Sequence, residues 1–202
     1  STETMSTETE LDVLAGARRL ADAASEAVAG AVAAAARLTD GGKLIDEHQV
    51  HSERIAQLAT EARAAQELVA YCERAGGADR LAQEQAFAFA AGAVHKLRGA
   101  VEADPDAFDL DDALTGRLNQ PDLRSLVRAG LNEARVRAIG ARVLEARGAH
   151  GTQLEDQAAA LTRDQFRSFA RTEIVPIAQE MHRQDHLVPE ELIQKMAGLG
   201  LF

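Results

Sequence analysis

This chain has 202 residues, of which 46% are hydrophobic and only 3% aromatic, so it is long enough to bury a sizeable core. A formal net charge of −10 argues against nucleic acid and anionic membrane surfaces as partners, and no apolar run approaches the roughly 18 residues that a membrane-spanning helix requires. The single cysteine, Cys72, excludes an internal disulfide and, with no secretory signal pattern at the N-terminus, predicts a cytoplasmic protein.

Alanine dominates the apolar residues and β-branched runs are few, a composition that predicts an all-α chain. Residues 1–10 are polar and acidic and predict a disordered tail. A first helix is expected from Leu11 to Leu38, where an Asp-Gly-Gly turn follows. A second helix is expected from about Leu44 to Ala75, because apolar residues recur there at helical spacing. These residues are Ile55, Leu58, Ala62, Ala65, Val69 and Cys72.

Two further helices complete the predicted leading region. Asp79 suits the N-cap of a third helix, which the Asp104-Pro105 pair should end. An acidic connector, DPDAFDLDDALTG, separates it from a long fourth helix expected from Pro121 to about Arg147. Four helices of comparable length, each with one apolar face, predict an antiparallel bundle over residues 11–151.

The last forty residues have a different pattern. Thr162 and Gln165 match a capping box, which predicts that a helix begins at Thr162. Pro176 lies inside this helix and should kink it or begin a new turn. Pro189 then opens a short amphipathic helix that the two glycines of AGLG should end.

This last region resembles the start of the acyl-CoA dehydrogenase family. Three runs carry the resemblance: FARTEIVPIA at Phe169–Ala178, VPEEL at Val188–Leu192 and KMAGLGLF at Lys195–Phe202. The resemblance implies that residues 162–202 are the first two helices of the family's N-terminal helical domain. In the family the third run leads into a segment of the form G-x-x-x-P-E-x-Y-G-G, so the rest of the domain is expected beyond residue 202.

The resemblance also implies an activity for the complete protein. Family members oxidise the Cα–Cβ bond of an acyl-CoA thioester with FAD, and pass electrons to electron-transfer flavoprotein or a similar acceptor as homodimers or homotetramers. The catalytic glutamate and the flavin site would lie beyond residue 202, so no catalytic, cofactor-binding or metal-binding residue is assigned within this chain. Most members lack a leading helical bundle, but one branch has a helical extension of about this size, and the chain resembles that branch.

Several ionisable groups have spacings that suit a site, and each also has a structural interpretation. Glu47, His48 and His51 could share one helix face and hold a metal, but no second copy of the pattern exists, so a solvated helix start is favoured. His182 and His186 are expected at a solvated turn. The acidic connector lacks the ligand spacing and the glycine of a calcium loop.

The remaining candidates are apolar in character. Cys72 lies on the apolar stripe of the second helix, where a thiol behaves as a small buried hydrophobe with a raised pKa. Phe87 and Phe89 are expected in the core.

The competing hypothesis for the whole chain is a free-standing helical interaction or oligomerisation module without catalysis.

Overall fold

The computed structural model describes residues 12–76, 79–147 and 156–201. Helices and their connections make up these ranges, which contain no strand, so the predicted all-α class is confirmed. The chain divides into two compact units, unit 1 from Ser1 to Gly151 and unit 2 from Thr152 to Phe202. The predicted tail, residues 1–10, lies outside the described residues.

Three long helices form the body of the described part of unit 1, and four shorter ones accompany them. A single 3-10 turn, Ile45–His48, leads into the second long helix. The helices are α1 (Val13–Leu38), α2 (Gln49–Arg74), α3 (Arg80–Ala103), α4 (Pro105–Phe108), α5 (Asp112–Leu118), α6 (Pro121–Leu131) and α7 (Glu133–Ala146).

The core of unit 1 lies where α1, α2 and α3 pack pairwise and α6 covers α3. Its largest fully buried side chains are Phe87, Phe108, Leu20, Leu97, Leu118, Val94 and Cys72. Alanines fill most of the remaining core of α1 and α3, and their small side chains allow the helix backbones to approach closely. At Gly130 of α6 the approach is closest, because a Cβ atom there would lie 2.5 Å from the Cβ of Ala91.

Side-chain caps fix where several of these helices begin. The Asp79 carboxylate accepts a hydrogen bond from the Ala82 backbone N–H at 2.9 Å, which confirms the predicted cap of α3. Asp12 and Asp111 cap α1 and α5 in the same way, at 3.0 and 2.7 Å. Each cap satisfies one of the backbone donors that the first turn of a helix leaves without a partner.

Two predictions for unit 1 are wrong. The acidic connector folds into α4 and α5, because Phe108 and Leu118 bury their side chains in the core while the acidic residues face outward or cap helices. The single long helix from Pro121 to Arg147 is interrupted at Asn132, whose backbone is extended. The Asn132 side chain accepts a hydrogen bond from Arg135 N–H at 2.9 Å, so it ends one helix and caps the next.

Unit 2 consists of α8 (Gln157–Phe169), one π-helical turn (Ala170–Ile174), α9 (Val175–Arg183) and α10 (Glu190–Gly198). The π turn places Pro176 in the first turn of α9, where its missing N–H costs no hydrogen bond. The prediction of a new turn at Pro176 is therefore confirmed. Gly200, at a φ of 77°, ends α10 by donating to the Ala197 carbonyl at 2.9 Å.

The predicted helix start at Thr162 is wrong. Asp156 is the N-cap of α8 and accepts hydrogen bonds from the N–H groups of Ala158 and Ala159, at 2.8 and 3.4 Å. Thr162 lies inside the helix, and its hydroxyl donates to the Ala158 carbonyl at 2.8 Å. The residues between Asp156 and Thr162, QAAAL, are strong helix formers, so the helix extends back to the earlier cap.

Candidate functional site

Unit 2 contains a groove between α9 and α10, with a volume of about 450 Å³. Most of its lining is apolar, with two histidines and one aspartate at one end. The lining residues are Ile174, Ala178, Met181, His182, Asp185, His186, Val188, Leu192 and Met196. A groove of this composition suits contact with apolar side chains better than acid–base chemistry.

Lys195 fixes α10 against the π turn. Its ammonium group donates to the Glu173 carboxylate at 2.8 Å and lies 3.0 Å from the Glu191 carboxylate. The hydrogen bond to Glu173, and after it the one to Glu191, raises the pKa of Lys195 above its ordinary value. Both carboxylates favour the charged lysine, so this contact positions α10.

His186 lies in the turn that follows α9, as predicted, but the prediction of a turn is wrong for His182, which lies in the last turn of α9 itself. The His186 N–H donates to the Met181 carbonyl at 3.0 Å, and Asp185 adopts a left-handed backbone with a φ of 52°. Both histidine side chains are exposed. Within residues 12–76, 79–147 and 156–201, no group of three or more His, Cys, Asp and Glu side chains is arranged to hold a metal ion.

The Glu47, His48 and His51 cluster at the start of α2 is less exposed to solvent than predicted. Glu47 is exposed, but the His51 ring is half-buried and meets the edge of Phe108, with ring centroids 5.4 Å apart and planes at 84°. Neither His51 nitrogen has a hydrogen-bond partner in the described part of the chain. The expectation of a solvated helix start is therefore wrong for His51, because Phe108, from the misassigned connector, covers it.

Cys72 and the two phenylalanines differ in how deeply they are buried. Cys72 is buried, and desolvation raises the pKa of its thiol, as predicted. Phe87 is fully buried in the core, whereas Phe89 is 40% exposed, so the prediction of a core position fails for Phe89. Residues two apart on a helix point to different faces, which accounts for the difference.

A further cleft in unit 1 was not indicated by the sequence. It has a volume of about 510 Å³ and contains Arg98 of α3 and Arg124 of α6. We call it the arginine cleft. No local motif marks it, because its two arginines lie on different helices, α3 and α6, that are far apart in the sequence.

Comparisons with known proteins concern both units. Residues 156–202 match the family model for the acyl-CoA dehydrogenase N-terminal domain. The predicted resemblance of this region to the N-terminal portion of the acyl-CoA dehydrogenase family is thereby confirmed. The boundary of this match lies at Asp156, the residue that caps α8.

One curated relative is (2S)-methylsuccinyl-CoA dehydrogenase of Cereibacter sphaeroides, which is 27% identical over 174 residues. The alignment covers 81% of this chain and 32% of the relative, so the chain spans about a third of the relative's length. Residues 156–202 are too few to account for the 174 aligned residues, so the similarity extends into unit 1. No solved structure matches the chain.

A helix can cross a membrane only if it is both long and apolar. Across the described ranges, no helix combines the length and the apolar character that crossing a bilayer would need.

Proposed function

We propose that this chain is the N-terminal part of an FAD-dependent acyl-CoA dehydrogenase, which oxidises the Cα–Cβ bond of an acyl-CoA thioester. The observation that carries the proposal is the match of residues 156–202 to the family's N-terminal domain. The helical region before it supports the same conclusion, because its similarity to a family member extends well beyond the matched domain.

The proposed substrate is (2S)-methylsuccinyl-CoA, and its loss of two hydrogens gives mesaconyl-CoA, a step of the ethylmalonyl-CoA pathway. The support is the relative whose printed name is (2S)-methylsuccinyl-CoA dehydrogenase and whose similarity includes unit 1. The proposed electron acceptor is electron-transfer flavoprotein or a similar protein. We also propose a homodimer or homotetramer in the cytoplasm, where a single reduced cysteine is expected.

FAD is proposed to bind outside residues 1–202, because the groove of unit 2 does not suit it. A flavin dinucleotide needs donors and positive charge for its pyrophosphate. Among the described residues that line the groove there is no lysine or arginine, and the carboxylate of Asp185 would repel the phosphates. We therefore assign the described residues of unit 2 to the scaffold that supports the reaction.

The exposed apolar side chains of unit 2 suit this scaffold role. Leu192 is the only buried residue among residues 156–201, whereas Leu161 and Val175 are 72% and 64% exposed. In the proposed enzyme, later helices of the N-terminal domain cover these side chains. Unit 1 is proposed to shape the substrate entrance or to replace a contact between subunits.

The test is to produce the complete natural polypeptide that contains this sequence and to measure its mass, visible spectrum and activity. We expect a mass well above 21.6 kDa, flavin absorption, and reduction of an artificial electron acceptor with (2S)-methylsuccinyl-CoA. Butyryl-CoA is the matched control, because it has the same thioester without the branched carboxylate. A flavoprotein that oxidises only butyryl-CoA would overturn the substrate, and a colourless protein would overturn the dehydrogenase.

The second candidate function is a helical interaction module without catalysis. The observation that favours it is that unit 1 has its own continuous core, built from α1, α2, α3 and α6. A colourless natural polypeptide of 202 residues that self-associates would support this alternative. Full activity and full oligomerisation in a variant that begins at Leu161 would instead show that unit 1 is dispensable for both.

A further inference from the structure

The arginine cleft of unit 1 has the features of an anion site. Arg98 lies near the end of α3, and its Nη2 donates to the Asn119 side-chain oxygen at 3.2 Å. The Asn119 amide nitrogen donates in turn to the Thr115 carbonyl at 3.0 Å, so the end of α5 holds the guanidinium in place. Arg98 is thereby oriented before any ligand arrives.

One donor of Arg98 has no partner. Its Nε is buried, and no hydrogen-bond acceptor reaches it in the described part of the chain. A buried charged donor without a partner is costly, and such groups in folded proteins usually mark a place where an ion or water binds. The Arg98 guanidinium therefore has an unsatisfied donor, and Arg98 itself is among the residues that line the cleft.

Arg124 likewise has no side-chain partner among the described residues. Its side chain forms no ion pair or hydrogen bond with any described residue, although the chain has 32 acidic and only 22 basic residues. Other arginines near the same helices are paired, as Arg19 is with Asp122 and Arg117 with Glu26. The exposed Arg124 guanidinium is therefore available to a ligand in the cleft.

The remaining lining residues define the class of ligand. Among the described lining residues Glu102 is the only one with a carboxylate, and it pairs with neither arginine, so the lining carries two positive charges and one negative charge. A dianion interacts more favourably than a monoanion with a site of net positive charge, because its attraction to the two guanidinium groups outweighs its repulsion by the Glu102 carboxylate. Val101 and Leu118 add apolar lining, and 510 Å³ leaves room for an organic group.

We infer that the arginine cleft binds the phosphate group of a small phosphorylated molecule, with Arg98 and Arg124 contacting the phosphate oxygens. Thr115 also lines the cleft, and its hydroxyl is a neutral group that can donate a hydrogen bond. The inference stands on the geometry of unit 1 and does not require the proposed dehydrogenase activity. Nucleic acid is not the ligand class, because the chain has a net charge of −10 and the cleft has only two arginines.

The test is calorimetric titration of the 202-residue chain with phenyl phosphate at constant ionic strength. We expect saturable binding at one site, and phenylacetate, which has the same ring with a carboxylate, should bind more weakly. Arg124→Gln should weaken phenyl phosphate binding by about tenfold or more, because it removes a charge-assisted contact. Arg128→Gln is the matched control on the same helix and should change affinity by less than about twofold.

Arg98 needs a conservative variant, because its side chain supports α5. Arg98→Lys keeps the charge but loses the planar fork and should also weaken binding by about tenfold. A circular dichroism melt checks that it folds, and Arg124→Gln alone suffices if it does not. The inference is overturned by non-saturable heats, by equal weakening in Arg124→Gln and Arg128→Gln, or by phenylacetate binding as tightly as phenyl phosphate.

Discussion

Unit 1 and unit 2 are both built from amphipathic helices, but they differ in how much of each apolar face is buried. Unit 1 buries Phe87, Phe108 and Leu20 completely within a continuous core. In unit 2 only Leu192 is buried among residues 156–201, and Leu187 is 92% exposed. The same kind of helix pattern thus produces a self-sufficient core in one region and an uncovered surface in the other.

The largest expected effect is on folding of the two units as separate polypeptides. Residues 1–151 should unfold cooperatively, because their core supplies apolar burial to offset the entropy of ordering the chain. Residues 152–202 should show a shallow transition, since short helices without tertiary packing are marginal in water. Circular dichroism melts of both polypeptides make the comparison. A sharp transition for residues 152–202 alone would contradict it.

The next effect concerns two phenylalanines of α3. Phe87→Ala should reduce the free energy of unfolding by about 3–5 kcal/mol, because it removes a fully buried ring and leaves a cavity. Phe89→Ala is the matched control and should cost less than about 1 kcal/mol, since Phe89 is 40% exposed. Urea unfolding of both variants measures the difference, and equal losses would mean that the two faces of α3 are wrongly assigned.

A smaller effect is expected where α3 and α6 approach each other. Gly130→Ala should destabilise unit 1 by about 1–3 kcal/mol, because the added Cβ would lie 2.5 Å from the Cβ of Ala91. Gly92→Ala, on α3, meets nothing within 4 Å and should stabilise by about 0.5–1 kcal/mol. Chemical denaturation reports both values. The opposite signs are the discriminating feature, and a stabilising Gly130→Ala would show that the helices are further apart.

A further prediction tests which residue begins α8. Asp156→Ala should cost about 1 kcal/mol of helix stability, because it removes the acceptor for the N–H groups of Ala158 and Ala159. Thr162→Ala should cost less than about 0.5 kcal/mol, since Thr162 lies in the helix interior and alanine is the better helix former. Helicity of residues 152–202 in a helix-promoting cosolvent separates the two. A larger loss in Thr162→Ala would restore the capping box.

The comparison also explains which parts of the fold can be predicted from the sequence. Helix existence, the Asp79 cap and the turn at Pro176 follow from local chemistry, and the structure confirms them. The break at Asn132 and the helices α4 and α5 do not follow so simply. An asparagine or an acidic residue is weakly unfavourable inside a helix and favourable at a cap, so tertiary packing decides between the two.

The candidate sites depend even more on tertiary packing, which the sequence pattern does not reveal. The buried thiol of Cys72 follows from its place on an apolar stripe. The contact between His51 and Phe108 does not, because it joins α2 to a segment 57 positions later in the chain. The arginine cleft depends on the same segment, since α4 and α5 bring Asn119 to Arg98. Because the sequence pattern of this segment favours a solvated connector, neither the His51–Phe108 contact nor the arginine cleft could be predicted.

The smallest expected effect concerns an ion pair on the surface of unit 1. The hydrogen bond from Arg19, and then the Leu123 N–H, lowers the pKa of Asp122 below its ordinary value. The carboxylate therefore stays deprotonated to a lower pH in the folded chain than in the unfolded chain. The pair stabilises the fold above about pH 4, the pKa of the carboxyl in the unfolded chain. This contribution is lost as the pH falls through the lower pKa of the folded state. Melting temperatures of the wild-type chain and Asp122→Asn should therefore differ near neutral pH and converge in acid. The difference should also shrink in high salt, since both side chains are more than half exposed. Asp106→Asn is the control, because Asp106 forms no ion pair with any described residue, and an equal shift in that variant would assign the effect to net charge instead of to the pair.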